Sequence, residues 1–227
     1  MIDKVIDIKE AMSYVKNGSS IMLGGFGLCG SPTTLLRELS TQPIYDLTTI
    51  SEDCGFAGRI LKRGVPELFI NKQIRKMVLS FVGNNPTVDK LLINKEVELE
   101  LVPQGILAER IRAAGAGLGG FYSPTGVGTE IAVGKESKII DGKEYILELP
   151  LRADIAFIKA YKADRMGNAI FKYGSMNFNN VMATAADIVI MEAQEIVEIG
   201  EIEPDDVDLP GLFVDYIVQA EGVVFHA

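Results

Sequence analysis

Asn17-Gly-Ser-Ser-Ile-Met-Leu-Gly-Gly-Phe-Gly-Leu-Cys-Gly-Ser-Pro32 decides how the rest of the chain is read. Ile21, Met22 and Leu23 make a short apolar run of buried-strand type. Gly24, Gly25, Phe26, Gly27, Leu28, Cys29 and Gly30 follow as a glycine loop. Glycine admits positive φ and lets a ligand reach the backbone with no Cβ in the way. Ser31 is a good N-cap and Pro32 suits a first helical turn, so a helix is expected to start there. Strand, bare loop and helix N-terminus together form a cradle of N–H groups suited to an anion or a long polar cofactor. The same pattern also fits a tight strand-to-helix turn that binds nothing. It is not a Walker loop, because Gly30 is followed by Ser31-Pro32 rather than Lys and Ser or Thr. Gly25, Gly27 and Gly30 have the dinucleotide spacing, but Pro32 and the lack of an acidic residue ending the next strand weaken that match.

Outward from this loop, strand and helix signals alternate. Upstream, Asp7 and Glu10 form a capping-box pattern, Ile8, Ala11, Met12 and Val15 recur at helical spacing, and Gly18 is placed to close that helix. Downstream, Leu35, Leu36 and Leu39 form a helical stripe. Residues 47–51 read as a strand, 58–63 and 66–71 as helical turns, 77–82 as a strand ending at Gly83, and 87–92 as a helix burying Val88, Leu91 and Leu92. Residues 98–102 read as a strand, and an amphipathic helix runs from Gln104 through Ala113. Four such alternations imply an α/β protein with a parallel sheet covered on both faces.

The second half has a different texture. Residues 115–128 are glycine-rich with no regular element expected, the length of a functional loop or lid. Asp141-Gly142 between alternating apolar residues is a hairpin signal for 138–149. Residues 155–160, 168–171, 188–193 and 213–218 read as strands, 179–186 as a helix, and 201–208 as an acidic solvated loop. No repeat or linker divides the chain, so residues 1–227 are read as one domain.

Composition narrows the function classes. The net charge of −9 argues against nucleic-acid and anionic-membrane partners. Two cysteines, Cys29 and Cys54, and one histidine, His226, are too few for zinc sites or Ser-His or Cys-His catalysis, so no metal is expected. No signal segment or membrane-length apolar run is evident, and the expectation is a soluble cytoplasmic protein.

The stretch 17–32 is similar, position for position, to the signature of the A-type (alpha) subunit of the class I coenzyme A transferases. These include the succinyl- and acetate-dependent 3-oxoacid transferases. The segments 102–112, with Val102-Pro-Gln-Gly105, 115–117, 121–126, 159–165, Gly167-Asn168 and Asn177-Phe-Asn179 resemble the same family in the same order. The resemblance implies a three-layer α/β/α fold with a mainly parallel sheet, shared with sugar-phosphate isomerases. It implies transfer of coenzyme A between carboxylic acids through a glutamyl thioester, with coenzyme A or acyl-CoA as substrate and no permanent cofactor. In this family the glutamate lies in a Ser-Glu-Asn-Gly motif of the B-type chain, and that motif is absent here. The nearest string, Ser51-Glu52-Asp53-Cys54-Gly55, aligns instead with the A-type chain's Ser-Asn-Asn loop at the substrate site.

No catalytic residue is therefore expected in this chain. Gly24, Gly25, Phe26, Gly27, Leu28, Cys29 and Gly30 are expected to help bind coenzyme A, and Ser51, Glu52 and Gln104 to line the substrate site. Glu52 and Asp53 replace family amides. Gln104 can offer its amide to a substrate carbonyl or carboxylate, or simply bond its local turn. Cys29 and Cys54 read as small packing residues. Lys72, Arg75 and Lys76 fit a solvated surface better than coenzyme A phosphates, and His226 reads as a tail residue. A B-type chain is the implied partner, in an assembly of two A-type and two B-type chains. The rivals are a non-catalytic acyl-CoA-binding scaffold and a sugar-phosphate isomerase. The isomerase would need a lysine near the glycine loop, and the first strands carry none.

Overall fold

Alternating apolar runs and helical stripes build, in the computed structural model, a central sheet with helices on both faces. Residues 3–55, 65–83 and 85–221 are described. In chain order the elements are α1 (Ile8–Ser13), β1 (Ser20–Leu23), α2 (Thr33–Thr41), β2 (Leu47–Ser51), α3 (Val65–Ile70) and β3 (Ile74–Leu79). Next come α4 (Pro86–Ile93), β4 (Glu98–Leu101), α5 (Gln104–Gly115), β5 (Phe121–Ser123), β6 (Ser137–Ile140) and β7 (Lys143–Glu148). The chain continues through β8 (Ala153–Asp164), β9 (Ala169–Ile170), α6 (Asn177–Ala183), β10 (Ala186–Val197) and β11 (Tyr216–Gln219).

The large sheet runs β11-β10-β8-β1-β2-β3-β4, all parallel, with β9 antiparallel on β8. The period-two geometry of a strand sends alternate side chains to opposite faces. Ile21 and Leu23 of β1 therefore pack with Leu35, Leu36 and Leu39 of α2 and with Leu68 and Phe69 of α3. Met22, one residue out of phase, joins Ile50 and Val78 against Ile106, Leu107 and Ile111 of α5 and Met182 of α6. Strand order reverses at β1: β2, β3 and β4 lie to one side and β8 and β10 to the other. In parallel sheets that reversal opens a crevice beyond the carboxyl ends of the strands. The glycine loop leaves β1 at that point.

Several sequence expectations are corrected. Helix α1 stops at Ser13, and Gly18 instead makes a left-handed turn (φ 82°) into β1. Ser31 does not cap α2: Pro32 holds the N-cap position, with no side-chain cap bond, because Ser31 is folded into the loop's last turn. Residues 115–128 are not without regular structure, since β5 pairs with β7 in a small antiparallel sheet ordered β5-β7-β6. Strands β8 and β10 each run 12 residues, beyond the apolar segments that marked them, because they pair along almost their full length. Strand β3 begins at Ile74 and ends before Phe81. Leu92 of α4 is only partly buried. The Asp141-Gly142 hairpin turn is present, both residues at positive φ (49° and 77°) as a type I′ turn requires. The helical turn read at 58–63 and the reading of His226 lie outside the described residues.

Candidate functional site

The first four strands end in short loops that share one rim. The loop after β1 contributes Phe26, Gly27, Leu28 and Cys29, and the turn after β2 contributes Glu52 and Asp53. Ser80 and Phe81 follow β3, and Gln104 opens α5 after β4. Together they line a cavity of about 550 Å³. A second cavity of about 270 Å³, between α5 and α6, shares Phe26 and Gln104 with it. Six of the residues singled out from sequence thus meet here: Phe26, Gly27, Leu28, Cys29, Glu52 and Gln104. Gly24, Gly25, Gly30 and Ser51 lie outside the lining. The Ser51 hydroxyl donates to the Asp53 carbonyl (2.6 Å).

The glycine loop is held from behind. A Cβ on Gly24 would lie 1.9 Å from Asn179 Oδ1, so glycine is required there by close approach. Gly25 sits at φ 113° with Ser31 backbone against it, a conformation and a space closed to larger residues. Asn179 is fully buried and uses three bonds: Oδ1 accepts from Lys159 N–H (2.9 Å), and Nδ2 donates to the carbonyls of Gly30 (2.9 Å) and Ser175 (2.8 Å). The Asp53 carboxylate accepts from Gly27 N–H (2.7 Å) and Gly55 N–H (2.6 Å), tying the loop to the end of β2. Phe26 and Cys29 exchange backbone bonds across the loop (3.0 and 3.1 Å).

The expected open helix N-terminus is occupied internally. Glu192 of β10 accepts from Thr34 and Leu35 N–H (2.7 and 3.2 Å) and pairs with Lys159 of β8 (2.9 Å). An anion at a helix N-terminus is favourable, and here the chain supplies its own. The part of the cradle that faces the cavity is the loop alone.

Glu52 is the most unusual group in the lining. It is 4% exposed, and its Oε1 accepts from Ser80 Oγ (3.0 Å) and Gln104 Nε2 (3.0 Å). Burial first, and then neighbouring Asp53, pushes its carboxyl above the ordinary range, outweighing those two bonds. Cys54, just beyond, is buried, and burial pushes its thiol up to about 12, which keeps it neutral and inert. Among the described residues no lysine, arginine or histidine lines the larger cavity. Lys72, Arg75 and Lys76 pair with Glu96 (2.9 Å), Glu98 (3.3 Å) and Glu100 (2.6 Å). Lys162 pairs with Glu195 (3.3 Å), and the Lys172 ammonium sits over the Tyr161 ring. Among the described residues no group of three or more metal-type ligands gathers, and no helix is long and apolar enough to cross a membrane.

Sequence reasoning missed Ser80 and Phe81, because the apolar run 77–82 read as strand throughout. It also missed Glu192, whose signal was a charge inside an otherwise apolar strand.

Fold and cavity together define a parallel α/β protein with a cavity at the sheet's switch point, walled by a glycine loop and a carboxyl pair. The chain belongs to the coenzyme A transferase family, whose match spans residues 5–220. It is 48% identical to the A-type subunit of the probable succinyl-CoA:3-ketoacid coenzyme A transferase of Bacillus subtilis, covering 92% of this chain and 87% of that one. It is 41% identical to the alpha subunit of the acetate CoA-transferase of Escherichia coli, covering 97% and 99%. Among solved structures, an acyl-CoA transferase of E. coli O157:H7, in thioester complex with CoA, superposes with a TM-score of 0.82. It shares 27% identity over 95% of this chain and 47% of that longer one.

Proposed function

We propose that this chain is the A-type subunit of a cytoplasmic coenzyme A transferase, acting with a B-type chain that carries the nucleophilic glutamate in an assembly of two chains of each kind. Coenzyme A passes from an acyl-CoA, such as succinyl-CoA or acetyl-CoA, to a short-chain carboxylic or 3-oxo acid such as acetoacetate. The partner's carboxylate attacks the thioester carbonyl, the C–S bond breaks, and an acyl-glutamyl anhydride forms as the coenzyme A thiolate leaves. The thiolate then attacks the glutamyl carbonyl, releasing the first acid and leaving a glutamyl thioester. The acceptor carboxylate reverses both steps: it displaces the thiolate to form a new anhydride, and the thiolate takes the new acyl group and frees the glutamate.

The single observation that carries this reading is a cavity at the ends of β1 to β4 walled by the glycine loop, the Glu52–Asp53 turn and Gln104. Glu52 is enclosed and held by two donors, and the Cys54 thiol is buried and neutral. Residues 26–29 of the loop form the wall against which the thioester end of coenzyme A lies. A lining free of lysine and arginine among the described residues suits the acyl and thioester end of the coenzyme. The names of the relatives support the same reading, since each denotes the A-type or alpha chain of a transferase.

The test is transfer from succinyl-CoA or acetyl-CoA to acetoacetate, measured with this chain alone and mixed with the B-type chain of a neighbouring reading frame. Activity is expected only in the mixture, with the trapped thioester on the B-type chain. Full-rate transfer by this chain alone, or a thioester bond to one of its own side chains, overturns the reading.

A further inference from the structure

We propose that Glu52 is a specificity residue: its carboxyl occupies the polar donors that the distal carboxylate of a dicarboxylic acyl group would need, so the enzyme takes monocarboxylic acyl groups. This rests on the proposed acyl site and adds the substrate class, since the names of the relatives range from succinyl-CoA, with a dicarboxylic acyl group, to the monocarboxylic acetate.

The lining supplies three side chains with hydrogen-bond donors in reach of a bound acid: Ser80, Gln104 and the weak thiol donor Cys29. Gln104 Nε2 donates to Glu52 Oε1 (3.0 Å), and the Ser80 hydroxyl has Glu52 Oε1 and the Glu52 backbone carbonyl as acceptors, each at 3.0 Å. Glu52 therefore stands where a second substrate carboxylate would otherwise be received, presenting the same group to the same donors. Beside it, Asp53 adds a second carboxyl group, itself fixed by Gly27 and Gly55 N–H. Among the described residues no lysine, arginine or histidine lines the cavity to offset the two. A distal carboxylate brought in here would lose its hydration, find the Ser80 hydroxyl and one Gln104 N–H already engaged, and face two carboxyl groups. An acyl group ending in a methyl or a ketone meets Phe26, Leu28 and Phe81 instead. A site with unmatched like charges rejects a ligand more strongly than a site that merely lacks contacts.

The experiment uses the assembled enzyme, acetoacetate as acceptor, and acetyl-CoA against succinyl-CoA as donors. The readout is the ratio of the two kcat/KM values. Wild type is expected to favour acetyl-CoA. Glu52→Ala frees the engaged Gln104 N–H and removes a carboxyl group, and is expected to shift the ratio toward succinyl-CoA by at least about tenfold, near the scale of one charge-assisted hydrogen bond. Glu52→Gln keeps the donors occupied but removes the acid, and is expected to shift it in the same direction by a smaller factor, about threefold. A wild type that uses succinyl-CoA as well as acetyl-CoA overturns the inference. So does a ratio unchanged in the variants while transfer persists. If Glu52→Ala does not assemble, the isosteric Glu52→Gln decides alone, and an unchanged ratio refutes the proposal. Transfer from neither donor in wild type refutes the parent reading, and this one with it.

Discussion

Gly24→Ala adds one methyl group at the point where the loop meets Asn179. The new Cβ would stand 1.9 Å from Asn179 Oδ1, 2.8 Å from its Cγ and 3.3 Å from the Phe157 carbonyl. The first of these distances is impossible, so Asn179 must move. It is fully buried and cannot move without giving up its bonds to Lys159 N–H and to the Gly30 and Ser175 carbonyls. A net buried hydrogen bond is worth about 1 kcal/mol, and an orphaned partner costs about 1–3 kcal/mol. With overpacking strain of about 1–3 kcal/mol, the substitution is expected to cost about 3–6 kcal/mol. Urea unfolding at fixed protein concentration measures it as a lowered midpoint at constant slope. The mechanism has its own check. In an Asn179→Ala background the clash is gone, so adding Gly24→Ala should cost less than about 1 kcal/mol more, a large coupling in a double-mutant cycle. A single-variant loss below about 1 kcal/mol, or simple additivity of the two changes, refutes the reasoning.

Two further outcomes follow from the buried charges. Glu192→Leu removes the acceptor at the start of α2 and strands the Lys159 ammonium, and should cost about 3–5 kcal/mol, with Lys159→Met added to it recovering part of the loss; a double variant no more stable than the single one refutes the pairing. Glu52 has a folded-state pKa above its ordinary 4.5, so its proton is held more tightly in the fold. Its contribution to stability is fully present below about 4.5 and is lost as pH rises through the higher folded value. Glu52→Gln should therefore gain on wild type in Tm as pH rises from 4.5 to 8, and a pH-independent difference would contradict the burial argument.

The sheet was legible because its signals are local. Ile21 to Leu23, Leu47 to Ser51 and the Asp141-Gly142 turn each carry their pattern within a few residues, and each lies where expected. The capping of α2 was not legible. Ser31 had the right chemistry in the right place, yet the acceptor comes from Glu192, 158 residues from Thr34 in sequence. Strand β5 was hidden because Phe121–Ser123 is three residues long and gains its identity only by pairing with β7. The site was half legible. Loop composition marked Phe26 to Cys29, and resemblance to the family marked Gln104. The engagement of Gln104 and Ser80 by Glu52 arises only when three strand ends are brought to one rim, and no spacing along the chain encodes it.

The division between Asn179, which braces the loop from behind, and Glu52, which faces the cavity, sets how the protein can be re-engineered. Positions 24, 30 and 179 interlock, so randomising any one alone would fill a library with misfolded clones. Positions 28 and 81 touch the cavity without carrying that brace. Diversity confined to them should yield enzymes that differ in the acids they accept while melting at nearly the same temperature.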